Sequence, residues 1–199
     1  MRSDDCHAAI FLDRDGVLNE VVYHQDIGLL DTPFTIEQFK LLPGAAEAVA
    51  RINRSGYLSI LVSNQPGVAK AHFTLETHLA FDAELKCQLA EHGAFLDDCY
   101  YCLDHPDSVL PEYRRASLWR KPEPGMLLAA IDKHHLDPSL CWMIGDSVLD
   151  IQAAKGANVR SILIGGLHCY TCHLLDERNI RPDIIAKDLA EAINKLLSP

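Results

Sequence analysis

Two aspartates close an apolar run near the start of the chain, and their type and spacing could hold a cation. Residues 10–12 are apolar, and Asp13, Arg14, Asp15 and Gly16 follow them. Side chains two positions apart on an extended backbone point the same way, so both carboxylates can share one small site. Gly16 lets the chain turn away, which leaves the acids at the carboxyl edge of a sheet, where open α/β folds bind ligands. The alternative is a strand that ends in an Asp-rich turn.

Three later stretches place polar groups beside apolar runs or helix starts. Two of them close runs of strand length, and the third gives a cation beside a proline that favours the start of a helix. The polar residues are Ser63, Asn64 and Gln65 after residues 58–62, Arg120 and Lys121 before Pro122, and Asp146 and Asp150 after residues 142–145. Each has a structural alternative: turn chemistry for residues 63–65, a solvated helix start for Lys121 and an N-cap for Asp150.

Taken in order, the four stretches resemble the motifs of the haloacid dehalogenase superfamily of phosphatases. These motifs are D-x-D-G, a Ser or Thr at a strand end, a Lys, and G-D-x-x-x-D, and here they span Asp13 to Asp150. The resemblance implies an α/β fold, a three-layer Rossmann-like parallel sheet with its five predicted strands in the order 5-4-1-2-3. Neither place where the superfamily inserts a cap holds more than a flap or a core element, so we expect a minimal cap or none.

The resemblance also gives each residue a role. Asp13 would be the nucleophile, forming an aspartyl phosphate that water later hydrolyses, and Asp15 would protonate the leaving oxygen and then deprotonate that water. Mg²⁺ would be bound by Asp13, the Asp15 backbone carbonyl and Asp146. Lys121 and the Ser63 hydroxyl would hold the phosphoryl oxygens.

Asp150 is a further candidate for the metal site. It lies one helical turn beyond Asp146, so its alternative role is to orient Lys121 or a metal-bound water. The sequence alone leaves both roles open.

The details of the motifs resemble one group within the superfamily, the D,D-heptose 1,7-bisphosphate 7-phosphatases and histidinol phosphatases. The resemblance covers nearly the whole chain, and it implies that Arg120 helps recognise the substrate. Asn19 and the residues 23–24 occupy the place of the group's substrate-contacting loop, within a flap at residues 20–40. Further candidates for substrate binding are Asn64, Gln65, Arg114 and Arg115.

One departure from this group concerns zinc. The group commonly carries C-x-H and then C-x-C before its R-K-P, but Asp104 stands in place of the histidine, and Ser117 and Trp119 stand in place of the two later cysteines. Tryptophan cannot ligate zinc and serine rarely does, so we predict no structural Zn²⁺ here. The alternative is a metal bound in another geometry by Cys99, Cys102 and His105.

Alternating strands and helices must position these residues, which favours a parallel sheet covered on both faces. The chain has no internal repeat and no low-complexity linker, so we expect one domain over residues 1–199. The helix at 74–92 should bury Leu75, Leu79, Leu85 and Leu89. Strands are predicted at 8–12, 57–62, 99–102, 141–144 and 159–164, helices at 43–56, 74–92, from 124, 150–156 and 188–197, and a flap or loop over the site at 16–42.

Composition limits the partners. The 18 Lys and Arg against 28 Asp and Glu give a formal net charge of −10, which disfavours nucleic acid as a partner. No apolar run approaches the ~20 residues of a membrane span, and residues 1–7 contain no signal-peptide core. We therefore expect a cytoplasmic protein without a membrane partner, and a monomer because no apolar stripe is left over.

Seven cysteines in a reducing compartment are expected to be free thiols or metal ligands. Cys169, Cys172 and His173 match the C-x-x-C-H of haem attachment, which the missing export signal disfavours. Cys169 and Cys172 could also join Cys99 and Cys102 in a four-cysteine zinc site, although the pairs should follow opposite outer strands.

The sequence therefore predicts a Mg²⁺-dependent phosphatase acting on a small phosphorylated sugar. Heptose bisphosphate is the first candidate, with a place in the carbohydrate metabolism of lipopolysaccharide or capsule biosynthesis. The alternatives are a histidinol-phosphate phosphatase, a nucleic-acid end phosphatase, and a non-catalytic phosphosugar-binding protein.

Overall fold

The structure is a computed structural model that describes residues 8–197, and it consists of a central sheet with helices on both faces. Residues 1–7, with Cys6 and the segment considered for a signal peptide, and residues 198–199 lie outside the described part. The strands are β1 (Ala9–Leu12), β2 (Val22–His24), β3 (Leu29–Asp31), β4 (Leu58–Asn64), β5 (Asp98–Cys102), β6 (Trp142–Gly145), β7 (Arg160–Leu163) and β8 (Ile184–Ile185). The α-helices are α1 (Ala45–Arg54), α2 (Leu75–Glu91), α3 (Gly125–His134), α4 (Val148–Gly156), α5 (Cys169–Glu177) and α6 (Leu189–Leu197).

Six strands form the main sheet in the order β5-β4-β1-β6-β7-β8, and every neighbouring pair is parallel. The five predicted strands have the order that the resemblance implied, which confirms the fold class. The sixth strand, β8, was not predicted, because two residues are too short to give a periodic signal. The central strand β1 is buried on both faces, which explains why its sequence is apolar without alternation.

Alternate residues of β1 contribute to two separate cores. Ile10 and Leu12 pack in a cluster with α1, α2 and α6, whereas Ala9 and Phe11 pack in a cluster with α3 and α4. Successive side chains of a strand point to opposite faces, so the period of the strand assigns each residue its layer. Packing on both faces fixes the position of β1 and therefore that of Asp13, the residue that follows it.

Helix α2 begins at the predicted N-cap, Thr74, whose hydroxyl accepts a hydrogen bond from the backbone N–H of Thr77. Four leucines were predicted to be buried on this helix. The prediction was wrong for two of them, because Leu75 and Leu79 are 44% and 59% exposed. The buried residues of this helix are His78, Phe81, Leu85 and Leu89.

The segment between β1 and α1, predicted as a flap or loop, contains the antiparallel hairpin β2–β3. A backbone hydrogen bond of 2.9 Å from Glu20 N to Lys40 O closes its base. We call residues 20–40 the flap. A structure of this size is no cap domain, and it leaves the carboxyl edge of the sheet open.

The two cysteine pairs lie on opposite sides of the sheet. Cys99 and Cys102 belong to β5 at one edge, whereas Cys169 and Cys172 lie in α5, which follows β7 and was not predicted. β5 and β7 are four strand spacings, or roughly 19 Å, apart. The suggestion that the pairs form one zinc site is therefore wrong.

Among the helices of residues 8–197, none is long and apolar enough to cross a membrane.

Candidate active site

Three carboxylates meet at the carboxyl edge of the sheet. Asp13 follows β1 and Asp146 follows its parallel neighbour β6, and a backbone hydrogen bond of 3.1 Å from Asp13 N to Ile144 O joins these strand ends. One carboxylate oxygen from each of Asp13, Asp146 and Asp150 lies within 4.8 Å of the others. Residues far apart in the sequence thus form one group of acids, as the motifs predicted.

Two glycines make this close approach possible. A Cβ atom on Gly16, whose φ is +78°, would lie 2.2 Å from Asp146 Oδ2. A Cβ on Gly145 would lie 2.3 Å from Cβ of Asp150. Since real Cβ atoms do not approach other atoms this closely, side chains at either position would displace the carboxylates. The glycines of D-x-D-G and G-D-x-x-x-D are therefore part of the site.

Lys121 is the buried cation that separates two of the acids. Its side chain is 2% exposed, and its Nζ lies 2.9 Å from Asp13 Oδ1 and 2.6 Å from Asp150 Oδ1. Burial alone would lower the pKa of Lys121, but the two carboxylates outweigh that effect and raise it above its ordinary value. Lys121 therefore stays charged, and the alternative of a solvated helix-start residue is wrong.

Polar groups of β4 hold Lys121 in place. The Asn64 side chain donates to the backbone carbonyl of Lys121 and accepts from its backbone N–H, both at 2.9 Å. Lys121 Nζ also donates to the Val62 carbonyl at 3.0 Å. Asn64 therefore holds the backbone of Lys121 in place, and its contact with substrate remains a prediction.

Asp150 is fully buried in the first turn of α4. Its Oδ2 accepts hydrogen bonds from the backbone N–H of Ser147 at 3.1 Å and from the Ser147 hydroxyl at 2.6 Å, while its Oδ1 faces Lys121. Ser147 is the N-cap of this helix, so the alternative that Asp150 is the N-cap was wrong; Asp150 completes the capping box three residues later. This geometry favours the role of orienting Lys121 over direct contact with a metal.

The pKa values of two of these acids, Asp13 and Asp146, are raised above their ordinary values. Burial raises the pKa of Asp13 to about 6, with Lys121 opposing the increase and Asp150 adding to it. The pKa of Asp146 is raised to about 8, chiefly by burial and also by Asp13 and Asp150, while Lys121 opposes the increase. A divalent cation bound between Asp13 and Asp146 would relieve the repulsion. Because all the donors are oxygens, the residues fit a hard ion such as Mg²⁺.

The Asp15 carboxylate is surrounded by donors. Its Oδ1 accepts from Asn19 Nδ2 and Thr32 Oγ1, both at 2.9 Å, and its Oδ2 accepts from Gln65 Nε2 at 2.5 Å. Arg14 Nη2 lies 3.2 Å from Oδ1. Burial raises the pKa of Asp15, but the guanidinium and the three side-chain hydrogen bonds outweigh burial and lower it below its ordinary value.

Three of the predicted site residues lie beneath Asp15. Asn19 and Gln65 are fully buried, Ser63 is 1% exposed, and the Ser63 hydroxyl accepts from Gln65 Nε2 at 3.1 Å. In this conformation Asn19 and Gln65 support Asp15 from below. Their contact with substrate, and that of the Ser63 hydroxyl with a phosphoryl group, remain predictions.

A cleft of about 330 Å³ opens over the acids. Arg120 is the predicted arginine that lines it, and Lys70 adds a cation that the sequence analysis did not select. From the flap, the cleft receives Val21, Leu30, Asp31 and Thr32. Its other lining residues are Asp13, Asp15, Asn64, Pro66, Lys121, Asp146, Ser147 and Leu149.

The other two predicted arginines lie outside that lining. Both are exposed: Arg114 Nε donates to the Ser108 carbonyl at 2.6 Å, and Arg115 Nε lies 2.8 Å from Asp104 Oδ2. Their role in substrate binding therefore has no support from the geometry and remains a prediction. Arg120 is oriented from behind by a hydrogen bond of 3.3 Å from its Nη1 to the Asp104 carbonyl.

Metal-ligating side chains cluster in one place within residues 8–197. The group of Asp13, Asp146 and Asp150 is the one set of three or more Asp, Glu, His or Cys ligand atoms that meet there. Trp119, one of the residues on which the prediction of no structural zinc depends, lies with its ring centre 5.9 Å from that of Tyr100.

The sequence analysis missed two polar residues around Asp15. Arg14 is fully buried, and its Nη2 donates to Thr32 Oγ1 at 2.6 Å. The guanidinium also lies over the rings of Phe39 and Phe81, at 5.9 and 5.7 Å from their centres. A signal for Arg14 existed, because a charged residue inside an otherwise buried motif needs a partner. Thr32 gave no such signal.

The chain is similar in sequence to known phosphatases. A family model described as "HAD-hyrolase-like" matches residues 118–192. The chain is 38% identical over 190 residues to the D-glycero-D-manno-heptose-1,7-bisphosphate 7-phosphatase of Thermosynechococcus vestitus, covering 93% of each chain. It is 39% identical over 156 residues to the D-glycero-beta-D-manno-heptose-1,7-bisphosphate 7-phosphatase of Pasteurella multocida, covering 78% of this chain and 80% of that one.

A solved structure is similar over nearly the full length. The D,D-heptose 1,7-bisphosphate phosphatase from B. bronchiseptica, complexed with magnesium and phosphate, superimposes with a TM-score of 0.78 at 28% identity. The match covers 96% of this chain and 97% of that chain.

Proposed function

The chain belongs to the haloacid dehalogenase superfamily of phosphatases, and on that premise we propose that it removes the 7-phosphate of D-glycero-D-manno-heptose 1,7-bisphosphate. Its relatives are named phosphatases, so the chain is a phosphoric monoester hydrolase. The choice of heptose bisphosphate is supported by the names of relatives whose sequences align with most of this chain. The steps below are our proposal for how the residues carry out the reaction.

The observation that carries the proposal is the position of Lys121 between Asp13 and Asp150. A nucleophilic carboxylate must stay ionised and must not be repelled by the phosphate that it attacks. Lys121, 2.9 Å from Asp13 Oδ1, supplies the positive charge for both requirements. Placed at the end of a buried strand, Asp13 also has a fixed direction of attack.

In the first step, a carboxylate oxygen of Asp13 attacks phosphorus and the bond to the sugar oxygen breaks. Asp15, which lines the same cleft, gives a proton to that oxygen. The surrounding donors lower the pKa of Asp15, and the negative charge of a phosphate bound beside it raises that pKa, so Asp15 takes up this proton when substrate binds. In the second step, Asp15 takes a proton from water, which attacks phosphorus and releases phosphate and free Asp13. Splitting one hydrolysis into two displacements avoids direct attack of water on an unactivated ester.

Mg²⁺ would be held by carboxylate oxygens of Asp13 and Asp146 and by the Asp15 backbone carbonyl. When bound, the ion neutralises phosphoryl oxygens and lowers the repulsion of an incoming anion. The residues provide the rest of the charge balance: Lys121 faces Asp13, and Asp150 holds Lys121 through its 2.6 Å ion pair.

Cations at the cleft would recognise the second phosphate of a bisphosphate. Arg120 and Lys70 line the cleft, and Arg120 is held by the Asp104 carbonyl. Arginine binds phosphate oxygens in a bidentate manner, so Arg120 is the candidate for the phosphate that is not cleaved.

The test is release of inorganic phosphate from a panel of substrates, with Mg²⁺ and with Asp13→Asn as the inactive control. The panel contains heptose 1,7-bisphosphate, hexose bisphosphates, histidinol phosphate and a 3′-phosphorylated oligonucleotide. We expect the highest kcat/KM with heptose bisphosphate, and loss of activity when a chelator removes the metal. A preference for histidinol phosphate or the oligonucleotide would overturn the substrate assignment. A wild type as inactive as Asp13→Asn would overturn the catalytic proposal in favour of binding alone.

A further inference from the structure

The flap contributes one polar side chain directly to Asp15. Thr32 follows β3, is 4% exposed, and donates its hydroxyl hydrogen to Asp15 Oδ1 at 2.9 Å. The other side chains that donate to this carboxylate, Arg14, Asn19 and Gln65, come from the strand ends and the loop after β1. Thr32 is therefore the contact through which the flap reaches the catalytic acid.

Arg14 stabilises the hydrogen bond between Thr32 and Asp15. Its Nη2 lies 2.6 Å from Thr32 Oγ1 and 3.2 Å from Asp15 Oδ1, so one nitrogen serves both residues. Because the guanidinium donates to the hydroxyl oxygen, the hydroxyl must turn its own hydrogen toward Asp15. Arg14 thus fixes the direction in which Thr32 donates.

The flap itself holds the backbone of Thr32. His24 Nε2 lies 3.0 Å from the Thr32 carbonyl, and the His24 ring stacks on Phe34 with 3.6 Å between centres. Phe34 in turn stacks on His72, beyond β4, at 4.5 Å. This stack joins the flap to the body of the protein and thereby fixes the position of Thr32 relative to the sheet.

We propose that Thr32 and Arg14 are positioning residues that orient the Asp15 carboxyl toward the leaving oxygen of the substrate. This inference rests on the proposed function, in which Asp15 protonates that oxygen. A proton transfer needs donor and acceptor within hydrogen-bond reach and aligned. The terminal torsion of an aspartate is broad, so neighbouring donors must restrict it. Thr32 and Arg14 restrict it from the side on which the flap lines the cleft.

The test compares two classes of substrate in Thr32→Val. An alkyl ester, such as a sugar phosphate, releases a poor leaving group that needs the proton of Asp15, whereas p-nitrophenyl phosphate releases a phenolate that does not. We expect kcat for the sugar phosphate to fall about tenfold or more, as for a lost hydrogen bond to a charged group, and a several-fold smaller loss for the aryl ester. Thr32→Ser, which keeps the hydroxyl, should restore both rates to within about threefold.

Thr35→Val is the matched control, because Thr35 lies in the same flap and caps the short helix Ile36–Gln38 without a contact to Asp15. This variant should loosen the flap yet keep the ratio of the two rates at the wild-type value. Equal losses on both substrates in Thr32→Val would indicate a purely structural role and overturn the proposal, as would no loss on either.

The design separates this inference from the choice of substrate. A wild type that hydrolyses hexose phosphates and p-nitrophenyl phosphate but not heptose bisphosphate would overturn the substrate assignment alone. The rate ratio is then taken with the sugar phosphate that it hydrolyses, and it decides the role of Thr32 as before. A wild type inactive on every ester would overturn both.

Discussion

Gly16 offers a sharp test of the site, because the Cβ of Gly16→Ala would lie 2.2 Å from Asp146 Oδ2. To reach an ordinary contact of 3.4 Å, the carboxylate must move by about 1 Å. A misplacement of this size in a catalytic group can cost about 10²-fold in rate. The left-handed backbone, with φ at +78°, adds roughly 1–2 kcal/mol of strain for alanine. We therefore expect a modest loss of stability and a large loss of Mg²⁺-dependent activity.

The assay measures two quantities on the same protein: the free energy of unfolding by urea, and kcat/KM as a function of Mg²⁺ concentration. Gly93→Ala is the matched control, because Gly93 has a similar φ of +67° and no atom within 4 Å of its Cβ position. Both variants should lose similar stability, but only Gly16→Ala should lose activity and need more Mg²⁺. If Gly16→Ala kept the wild-type Mg²⁺ dependence, the placement of Asp146 in the metal site would be refuted.

Three further predictions concern charge, pH and substrate recognition. Lys121→Met leaves two buried carboxylates without their cation. The free energy of unfolding, measured in urea without Mg²⁺, should therefore fall by about 3 kcal/mol or more. A loss below about 1 kcal/mol would contradict the buried ion pair. Burial, with a contribution from a nearby guanidinium, lowers the pKa of His78 from 6.5 to about 4, so below pH 6.5 the unfolded chain binds a proton that the folded protein does not. The stability of wild type relative to His78→Leu should therefore fall by about 1–2 kcal/mol between pH 7 and pH 5, and parallel urea titrations at both pH values would exclude this account if the difference stayed constant. Arg120→Ala should raise KM for a bisphosphate about tenfold or more, because Arg120 lines the cleft. Arg114 and Arg115 lie outside the cleft lining, so Arg114→Ala and Arg115→Ala should change KM less than about threefold. Equal effects of the three variants in steady-state kinetics would contradict the assignment of Arg120.

The fold could be predicted where the sequence repeats a signal over several residues. The apolar runs of β1, β4 and β6 end at the acids and amides of the site, and the order of the strands came from the resemblance of the motifs. β8 was missed because only two residues pair, and α5 because it buries a single side chain, Leu175. Short or weakly buried elements are determined by tertiary contacts, which a local pattern does not record.

The site shows the same limit at the level of side chains. The four motifs predicted that the carboxylates Asp13 and Asp146 would meet near Lys121, because parallel strands bring their carboxyl ends to one edge. They did not reveal Thr32, which reaches Asp15 through the fold of the flap and has no motif around it. Nor did they separate Arg120 from its neighbours, because the direction of a loop side chain depends on hydrogen bonds such as the one to the Asp104 carbonyl.

The most direct test of the account is to trap the phosphoryl group on the protein. Asp15→Asn should slow the attack of water on the intermediate, and p-nitrophenyl phosphate should load it without help from an acid. Rapid quenching, borohydride reduction and mass spectrometry of the peptides would then identify the modified side chain. We predict reduction of an acyl phosphate at Asp13, and none when Asp13→Asn is added to the variant. A phosphoryl group on another residue, or phosphate release in a single turnover with no modified peptide, would contradict Asp13 as the nucleophile.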